Sequence, residues 1–280
     1  MKKALSLMTA AALVLSLAAC GSTASSAASS EAASPEAASS DAASSEAASS
    51  EAASETETAE LSTVEPGKLI MSTNAAFPPY EMTTDAGEFE GIDIDTAKAI
   101  AEKLGLELQI DDMDFDAALL SVQQGKADIV MAGVTVTDER KAVMDFSDSY
   151  ATGIQSIIVP EGSDITSPDD LAGKKIGTQR GTTGYIYCSD DFGDDAVVAY
   201  DDGLTAVQAL NNGQVDAVVI DNAPAKEFVA ANPGLVILDT SYAEEDYAIG
   251  LAKGSALEDA VNAALEELKA DGTLQSIVDK

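Results

Sequence analysis

From residue 68 to the C-terminus, short apolar runs with the composition of β-strands alternate with helical patterns. The first half has predicted strands at KLIMST and LELQI, and predicted helices from about Asp93 to Leu104 and from Asp116 to Gln124. The nearly unbroken apolar run ADIVMAG then predicts a strand that is covered on both faces. This alternation is typical of an α/β fold with mainly parallel sheets.

The second half of this region repeats the scheme. Ser167 and Pro168 form a predicted helix start, and a helical pattern ends at Asn212-Gly213. The stretch QQGKADIVMAG in the first half has a counterpart in NNGQVDAVVID in the second, which indicates two lobes of like design. The predicted strands of the second half are QSIIVP, KKIGTQ, VVAY and DAVVID.

The C-terminal stretch predicts a strongly amphipathic helix. Ser255 and Glu258 have the spacing of a capping box, and Gly272 is the predicted stop.

The N-terminus predicts export. Two lysines precede an apolar run that is too short for a permanent membrane span, and the segment ends in Leu-Ala-Ala-Cys20. This ending resembles the bacterial lipobox, in which the cysteine becomes the lipidated first residue of the mature protein, although a buried or disulfide-bonded Cys20 stays open. Residues 21–63 are nearly all Ala, Ser and Glu with a five-residue period and no aromatic residue, which predicts a disordered tether.

Acidic residues outnumber basic ones heavily, with 49 Asp and Glu against 15 Lys and Arg. Nucleic-acid binding is excluded, since phosphate recognition needs a basic face. The chain contains no histidine, so any general base would have to be a carboxylate or a lysine. Any anion-binding site must therefore have a local positive potential strong enough to overcome the negative electrostatic potential of the whole molecule.

Two arginines, Arg140 and Arg180, each end a Gly/Thr-containing stretch between a predicted strand and a predicted helix. Ligands of open α/β folds bind in such loops. For Arg140, the backbone N–H groups of Gly133 and Thr135, the Thr135 hydroxyl and the planar guanidinium suit a carboxylate. We expect the two loops to face each other across a cleft and to hold a small anion.

Plainer interpretations of both stretches stay open at this point. Arg140 could pair on the surface with one of three nearby acids, Asp138, Asp145 or Asp148. The stretch GTQRGTTG could be an ordinary tight turn, although free N–H groups near residues 181–183 would also suit an anion.

Four stretches in this order resemble the family 3 extracellular solute-binding proteins, the amino-acid-binding components of ATP-binding cassette importers. They are STNAAFPPYEM, GIDIDTAKAIAEKLG, DFDAALLSVQQGKADIVMAGVTVTDERKAVMDFSDSY and DLAGKKIGTQRGTTG. The resemblance extends from Lys68 to the C-terminus. It implies a two-lobed α/β fold of the type II periplasmic-binding-protein kind, with a ligand cleft between the lobes.

The resemblance also implies a set of ligand-binding residues. Arg140 would bind the ligand α-carboxylate and Asp221 the α-ammonium, unless Asp221 is only a helix cap. Phe77 and Phe115 would sandwich the ligand side chain, unless they are core residues. Arg180 lies beside the matching binding position, Gln179, and is expected to pair at the surface instead. The complete predicted set is Asn74, Phe77, Phe115, Ala132, Gly133, Thr135, Arg140, Gln179, Thr182, Thr183 and Asp221.

The expected protein is therefore a monomeric, extracytoplasmic, lipid-anchored amino-acid-binding protein that needs no cofactor or metal and docks on a membrane permease. Two segments, 152–155 and 241–246, are expected to cross between the lobes. The alternatives are an enzyme on the same fold, such as a cyclic amino acid dehydratase, and an exported sensory module. The expected segments are a leader at 1–20, the tether at 21–63, lobe 1 at 64–154, lobe 2 at 155–245 and a return to lobe 1 at 246–280.

Asn74 suggests which amino acids bind. In the histidine and glutamine binders the resemblance places an aspartate at this position, whereas asparagine supplies no net charge. With Gln179 also neutral and two aromatic walls, the site is expected to prefer a polar uncharged or modestly apolar amino acid over lysine or arginine.

Overall fold

The computed structural model describes residues 61–280. The predicted leader, Cys20 and nearly all of the predicted tether lie outside this range. Within it, no helix has both the length and the apolar character needed to cross a membrane.

The strands and helices of the described region alternate as the sequence predicts. The strands are β1 Lys68–Thr73, β2 Ala76–Phe77, β3 Glu81–Thr83, β4 Phe89–Glu90, β5 Glu107–Asp112, β6 Ile129–Val130, β7 Met144–Phe146, β8 Ala151–Pro160, β9 Ile176–Gln179, β10 Val197–Tyr200, β11 Ala217–Asp221, β12 Leu235–Ile237, β13 Ala243–Tyr247 and β14 Gly250–Ala252. The α-helices are α1 Ile92–Leu104, α2 Phe115–Gln123, α3 Asp138–Val143, α4 Thr183–Phe192, α5 Gly203–Asn211, α6 Asn222–Ala231, α7 Glu258–Ala270 and α8 Thr273–Val278. Short 3₁₀ helices occupy Pro168–Leu171 and Asp194–Ala196.

Two sheets define the two lobes. The lobe 1 sheet has the strand order β5-β1-β6-β14-β7, and the lobe 2 sheet has the order β10-β9-β11-β8-β12 with β13 also paired to β8. In each sheet three strands are parallel: β5, β1 and β6 in lobe 1, and β10, β9 and β11 in lobe 2. The remaining pairings are antiparallel and involve the strands on either side of the passages between lobes. Both predicted sheets are present, each with a parallel half that supplies site loops.

The chain passes between the lobes twice, through residues 147–150 and 248–249, so the expected crossing segments, 152–155 and 241–246, are wrong and lie on the lobe 2 side of the passages. The strands beside these passages, β8 and β13, are hydrogen-bonded to each other in antiparallel register from Ala151↔Tyr247 to Gln155↔Ala243. These two paired strands, called the ribbon below, lead from the lobe 2 sheet directly into the two adjacent connections. Two adjacent connections of this kind are typical of a hinge between lobes.

Three sequence-based boundaries differ from the structure. The apolar run at 127–133 forms a ladder only at Ile129–Val130, because the chain then turns into the loop that leads to α3. The predicted capping box at Ser255 is wrong, since α7 begins at Glu258 and the Ser255 hydroxyl accepts from the Leu257 N–H over 3.2 Å to close the preceding turn. Ser167 caps a 3₁₀ helix, with Pro168 at its first position.

The helices cover the sheets with their predicted apolar faces. On α7, Val261, Leu265 and Leu268 are buried, and on α1, Ile94, Ile100 and Ala101 are buried. Each buried aliphatic side chain contributes roughly 1.5–3 kcal/mol to folding. These rigid layers leave the loops at the carboxyl ends of the parallel strands facing the cleft.

Candidate functional site

A small cavity lies between the lobes. All eleven residues predicted as ligand-binding line it, together with one that was not predicted. The lining residues are Asn74, Phe77, Glu81, Phe115, Ala132, Gly133, Thr135, Arg140, Gln179, Thr182, Thr183 and Asp221.

Arg140 is buried in the cavity wall, with 8 % of its surface exposed. One terminal nitrogen, Nη1, donates to the Thr135 carbonyl over 2.8 Å, and Nη2 donates to the Gly181 carbonyl of the other lobe over 3.2 Å. The guanidinium also lies 5.4 Å from the centre of the Phe115 ring, within cation–π range. Surface pairing is thus the wrong interpretation of Arg140, and the neighbouring Asp145 pairs with Lys253 instead.

The N-terminus of α4 forms the lobe 2 wall opposite Arg140. Thr182 caps this helix by accepting from the Tyr185 N–H over 3.3 Å, and Thr183 is its first residue. Uncapped N–H groups and the helix dipole make such a terminus favourable for an anion. A guanidinium and a helix N-terminus therefore converge on one end of the cavity.

The two loops that carry Arg140 and Arg180 do face each other across the cleft, but the Arg180 side chain does not point into it. The Arg180 side chain is 53 % exposed, and its Nη2 lies 3.7 Å from the Asp201 carboxylate at the surface. The peptide oxygen of Gly181, one residue further on, is the group that meets Arg140. Surface pairing of Arg180, which the resemblance suggested, is confirmed.

Asp221 ends β11 and supplies a buried acid to the same cavity, with 7 % of its surface exposed. Its Oδ2 accepts from the Gln155 side-chain nitrogen over 2.6 Å. Its Oδ1 is buried and makes no hydrogen bond of good geometry within residues 61–280, although the Tyr247 hydroxyl lies close enough to lower the pKa of Asp221. Burial raises the pKa of Asp221 to about 7, and the negative charge of Glu245 adds to the rise. Asp221 Oδ1 is therefore a cavity acceptor without a hydrogen bond of good geometry within the described part of the chain.

Two donors predicted to face the ligand are already engaged within the protein. The Gly133 N–H donates to Asp93 Oδ2 over 3.0 Å, and the Thr135 hydroxyl donates to Glu245 Oε2 over 3.0 Å. Both residues line the cavity, yet these particular groups point elsewhere. The physical reason is that Asp93 and Glu245 are buried carboxylates and need donors of their own.

Asn74 and Gln179 close the other end of the cavity. The Gln179 side-chain nitrogen donates to the Asn74 side-chain oxygen over 2.8 Å, and the Asn74 nitrogen donates to the Met113 carbonyl over 3.0 Å. Because Asn74 belongs to lobe 1 and Gln179 to lobe 2, this contact joins the lobes. With the Arg140 to Gly181 bond, it defines a closed cleft.

Glu81 is the lining residue that sequence reasoning missed. It is the first residue of β3 and fully buried, and its carboxyl lies within hydrogen-bonding reach of the Asp93 carboxylate, to which the protonated form of Glu81 can donate. Burial raises its pKa well above the usual range, and the charge of nearby Asp93 acts in the same direction. The sequence signal was an acid directly after the apolar FPPY within a stretch that carried the resemblance.

Residues 69–280 match the family model of the bacterial extracellular solute-binding proteins, family 3. The L-cystine-binding protein TcyJ of Escherichia coli K12 is 33 % identical over 221 residues, which cover 77 % of this chain and 83 % of that protein.

Two solved structures of amino-acid-binding proteins are also similar to this chain in fold and in sequence. An ancestral arginine-binding protein bound to glutamine has a TM-score of 0.73 at 43 % identity, over 77 % of this chain and 97 % of that one. The arginine-, lysine-, histidine-binding protein ArtJ of Geobacillus stearothermophilus has a TM-score of 0.72 at 35 % identity, over 75 % and 93 % of the two chains.

Proposed function

Because this chain belongs to the bacterial extracellular solute-binding proteins, family 3, we propose that it binds a free amino acid outside the cell and delivers it to the permease of an ATP-binding cassette importer. One observation carries the amino-acid assignment. A buried guanidinium and a buried carboxylate with an unsatisfied oxygen line the same small cavity.

These two groups suit the two charges of an amino acid. Arg140 uses one N–H of each terminal nitrogen within the protein, so its remaining N–H groups can donate to an α-carboxylate that also accepts from the N-terminus of α4. Asp221 Oδ1 can accept from the α-ammonium. Charge-assisted hydrogen bonds in a buried site contribute roughly 1.5–3 kcal/mol each, so this clamp accounts for most of the affinity.

The other end of the cavity selects the ligand side chain. Phe77 and Phe115 supply aromatic faces, while Asn74 and Gln179 bring neutral amides. Glu81 adds a buried carboxyl whose pKa is raised well above its usual range by burial, which favours its neutral form. We propose a ligand whose side chain ends in N–H donors, with glutamine preferred while Glu81 keeps its proton. Related structures of an ancestral arginine-binding protein contain glutamine in one case and arginine in the other, and both side chains end in N–H donors.

The enzyme alternative is not favoured, since the relatives are named as binding proteins for solutes. The chain is a solute-binding protein and not an enzyme. Mass spectrometry of L-glutamine recovered after incubation should show the unchanged amino acid. A converted product would restore the enzyme interpretation.

Delivery to a permease depends on the closed form differing from the open one, because a ligand shifts a conformational equilibrium only through unequal affinity for the two states. The Arg140 to Gly181 and Gln179 to Asn74 bonds form only when the lobes meet. We propose that the ligand favours this closed monomer and that the permease recognises it.

The proposed location is the outer face of the cell membrane, with Cys20 as the lipid anchor and residues 21–63 as the tether. Replacing Cys20 by Ala should release the protein into the soluble fraction or leave the leader uncleaved, with ligand binding unchanged. Continued detergent-dependent partitioning of the variant would contradict the anchor.

A thermal-shift panel of the common amino acids and cystine tests the ligand class. A ligand at 100 times its Kd should stabilise the protein by roughly 2.7 kcal/mol. We expect L-glutamine to give a large shift. A response to no amino acid would overturn the proposed function, and a response to arginine or lysine alone would overturn the proposed side-chain preference.

A further inference from the structure

A buried chain of hydrogen bonds runs beneath the cavity, through residues that do not line it. Gln155 on β8 donates from its side-chain nitrogen to Asp221 Oδ2 over 2.6 Å and to Glu245 Oε2 over 3.0 Å. The same Glu245 oxygen accepts from the Thr135 hydroxyl over 3.0 Å. Gln155 is 1 % exposed and Glu245 is 6 % exposed, so both are removed from solvent.

This series of hydrogen bonds joins the two lobes and includes one residue from each strand of the ribbon. Thr135 belongs to the lobe 1 loop that leads to Arg140, and Asp221 ends a lobe 2 strand. Gln155 lies on β8 and Glu245 on β13, the two strands that form the ribbon. The order Thr135, Glu245, Gln155, Asp221 therefore links the carboxylate side of the cavity to its ammonium side without passing through the ligand.

Burying the carboxylate of Glu245 is unfavourable in free energy, so packing alone does not explain a glutamate at this position. A carboxylate taken out of water is unfavourable unless charges or hydrogen bonds compensate it, and within the described region no lysine or arginine pairs with Glu245 at salt-bridge distance. The hydrogen bonds that it accepts come from Thr135 and Gln155. Both donors also hold groups of the site, since Thr135 binds Arg140 through its carbonyl and Gln155 binds Asp221.

We propose that Gln155 and Glu245 are positioning residues that hold Thr135 and Asp221 at the spacing an amino-acid head group requires, and that they couple occupation of the site to the hinge ribbon. This inference rests on the proposed function, because it assigns Asp221 to the ligand ammonium. Neither residue needs to touch the ligand.

The two residues act on Asp221 in opposite directions. The Gln155 hydrogen bond favours the charged carboxylate, whereas the negative charge of Glu245 favours the protonated form. Ligand binding needs the carboxylate, so affinity should fall as pH drops through the pKa of Asp221, which is about 7. The titratable groups that also influence this site are Glu245, Tyr247, Tyr80, Glu81 and Arg140.

The test is the affinity for L-glutamine, with L-arginine as a second probe, measured by calorimetry from pH 5 to pH 9 on Gln155→Met and Glu245→Gln. Both should weaken binding about tenfold at pH 8. Gln155→Met should move the acidic midpoint of the affinity profile to higher pH, and Glu245→Gln should move it to lower pH. A role in packing alone would lower the affinity equally at every pH and leave the midpoint in place.

Glu244→Gln is the matched control. Glu244 lies next to Glu245 on the same strand but is exposed, so this variant should keep the wild-type affinity and midpoint. Melting curves establish that each variant folds. If Gln155→Met does not fold, Glu245→Gln, which preserves the shape of the side chain, decides the question.

The inference is overturned if folded variants keep the wild-type profile or lose affinity without a change of midpoint. A wild-type protein that binds neither probe overturns the proposed preference for N–H-donor side chains and this inference together. The two failures can be told apart, because failure of the ligand preference is seen in the wild-type protein, whereas failure of this inference alone is seen only in the variants.

Discussion

The side chains of Gln179 and Asn74 meet across the cleft, with the Gln179 nitrogen donating to the Asn74 oxygen over 2.8 Å. Each residue contributes a neutral amide from a different lobe, so this bond both closes the cavity and defines the polarity of its far end. With this pair uncharged, the acids that line the cavity among the described residues are Glu81 and Asp221.

Replacing Asn74 by Asp should change ligand preference. The new carboxylate still accepts from Gln179, but its charge attracts a cationic side chain and keeps Glu81 more strongly protonated. We expect the affinity ratio of L-arginine to L-glutamine to rise at least tenfold, measured by competition calorimetry. An unchanged ratio would remove Asn74 from the residues that determine specificity.

Arg140→Lys should weaken binding of L-glutamine by at least about tenfold, since lysine keeps the charge but loses the planar, two-pronged donor geometry. Arg180→Lys is the control, because Arg180 is exposed and pairs weakly with Asp201. Calorimetry should separate the two variants clearly. Equal Kd values for Arg140→Lys and the wild type would contradict the carboxylate assignment.

Gly181→Ala should hinder closure of the cleft. A Cβ at this position would lie 2.5 Å from Asp116 Oδ1 of the other lobe, well inside van der Waals contact. Gly162 has nearly the same backbone φ, +78° against +74°, but open space around it, so Gly162→Ala carries the same backbone strain without the clash. Because Asp116 is exposed and the clash is with the end of its side chain, this side chain can turn away, and we expect only a few-fold weaker binding for Gly181→Ala alone. Calorimetry on both variants measures the effect, and an unchanged Kd for Gly181→Ala would contradict it.

The ligand-free protein should be more stable at pH 5 than at pH 8. Burial raises the pKa of Asp221 to about 7 and that of Asp93 to about 6, whereas these carboxyls have lower pKa values in the unfolded chain. Between about pH 4 and pH 7 the folded protein therefore holds protons that the unfolded chain has released, and stability falls as pH rises. Melting temperatures across this range measure the effect.

Asp221→Asn tests the main contributor. It should raise the ligand-free melting temperature at pH 8 by at least about 2–4 °C, since it removes a buried charge, and it should abolish amino-acid binding. At pH 5, where Asp221 is already protonated, the gain should largely vanish. A variant less stable than the wild type at pH 8 would show that the Asp221 charge is not a cost to the empty protein.

The sequence correctly predicted most of the residues that line the cavity. It did not predict the hydrogen-bond partners that some of their polar groups have within the protein. The eleven proposed residues line one cavity because they follow parallel strands, and strand order brings those ends together. Gly133 and Thr135 illustrate the limit. Their positions were anticipated, but the Gly133 N–H and the Thr135 hydroxyl serve Asp93 and Glu245, which are distant in sequence.

Glu245 was missed for a related reason. It stands between Glu244 and Asp246 in β13, and three consecutive acids look like a solvated strand. Only the pairing of β13 with β8 decides that the middle one faces inward. Arg140 was the opposite case, since its loop between strand and helix already placed it at a sheet edge.

The ribbon formed by β8 and β13 makes the distance between the two lobes a convenient measure of ligand binding. Five consecutive residue pairs connect its strands just before both connections to lobe 1, so we expect the lobes to close about one hinge region. A single donor and acceptor dye pair, on the exposed Leu120 of lobe 1 and Leu204 of lobe 2, should therefore report occupancy as one distance. The same scaffold would serve as an optical sensor for its ligand.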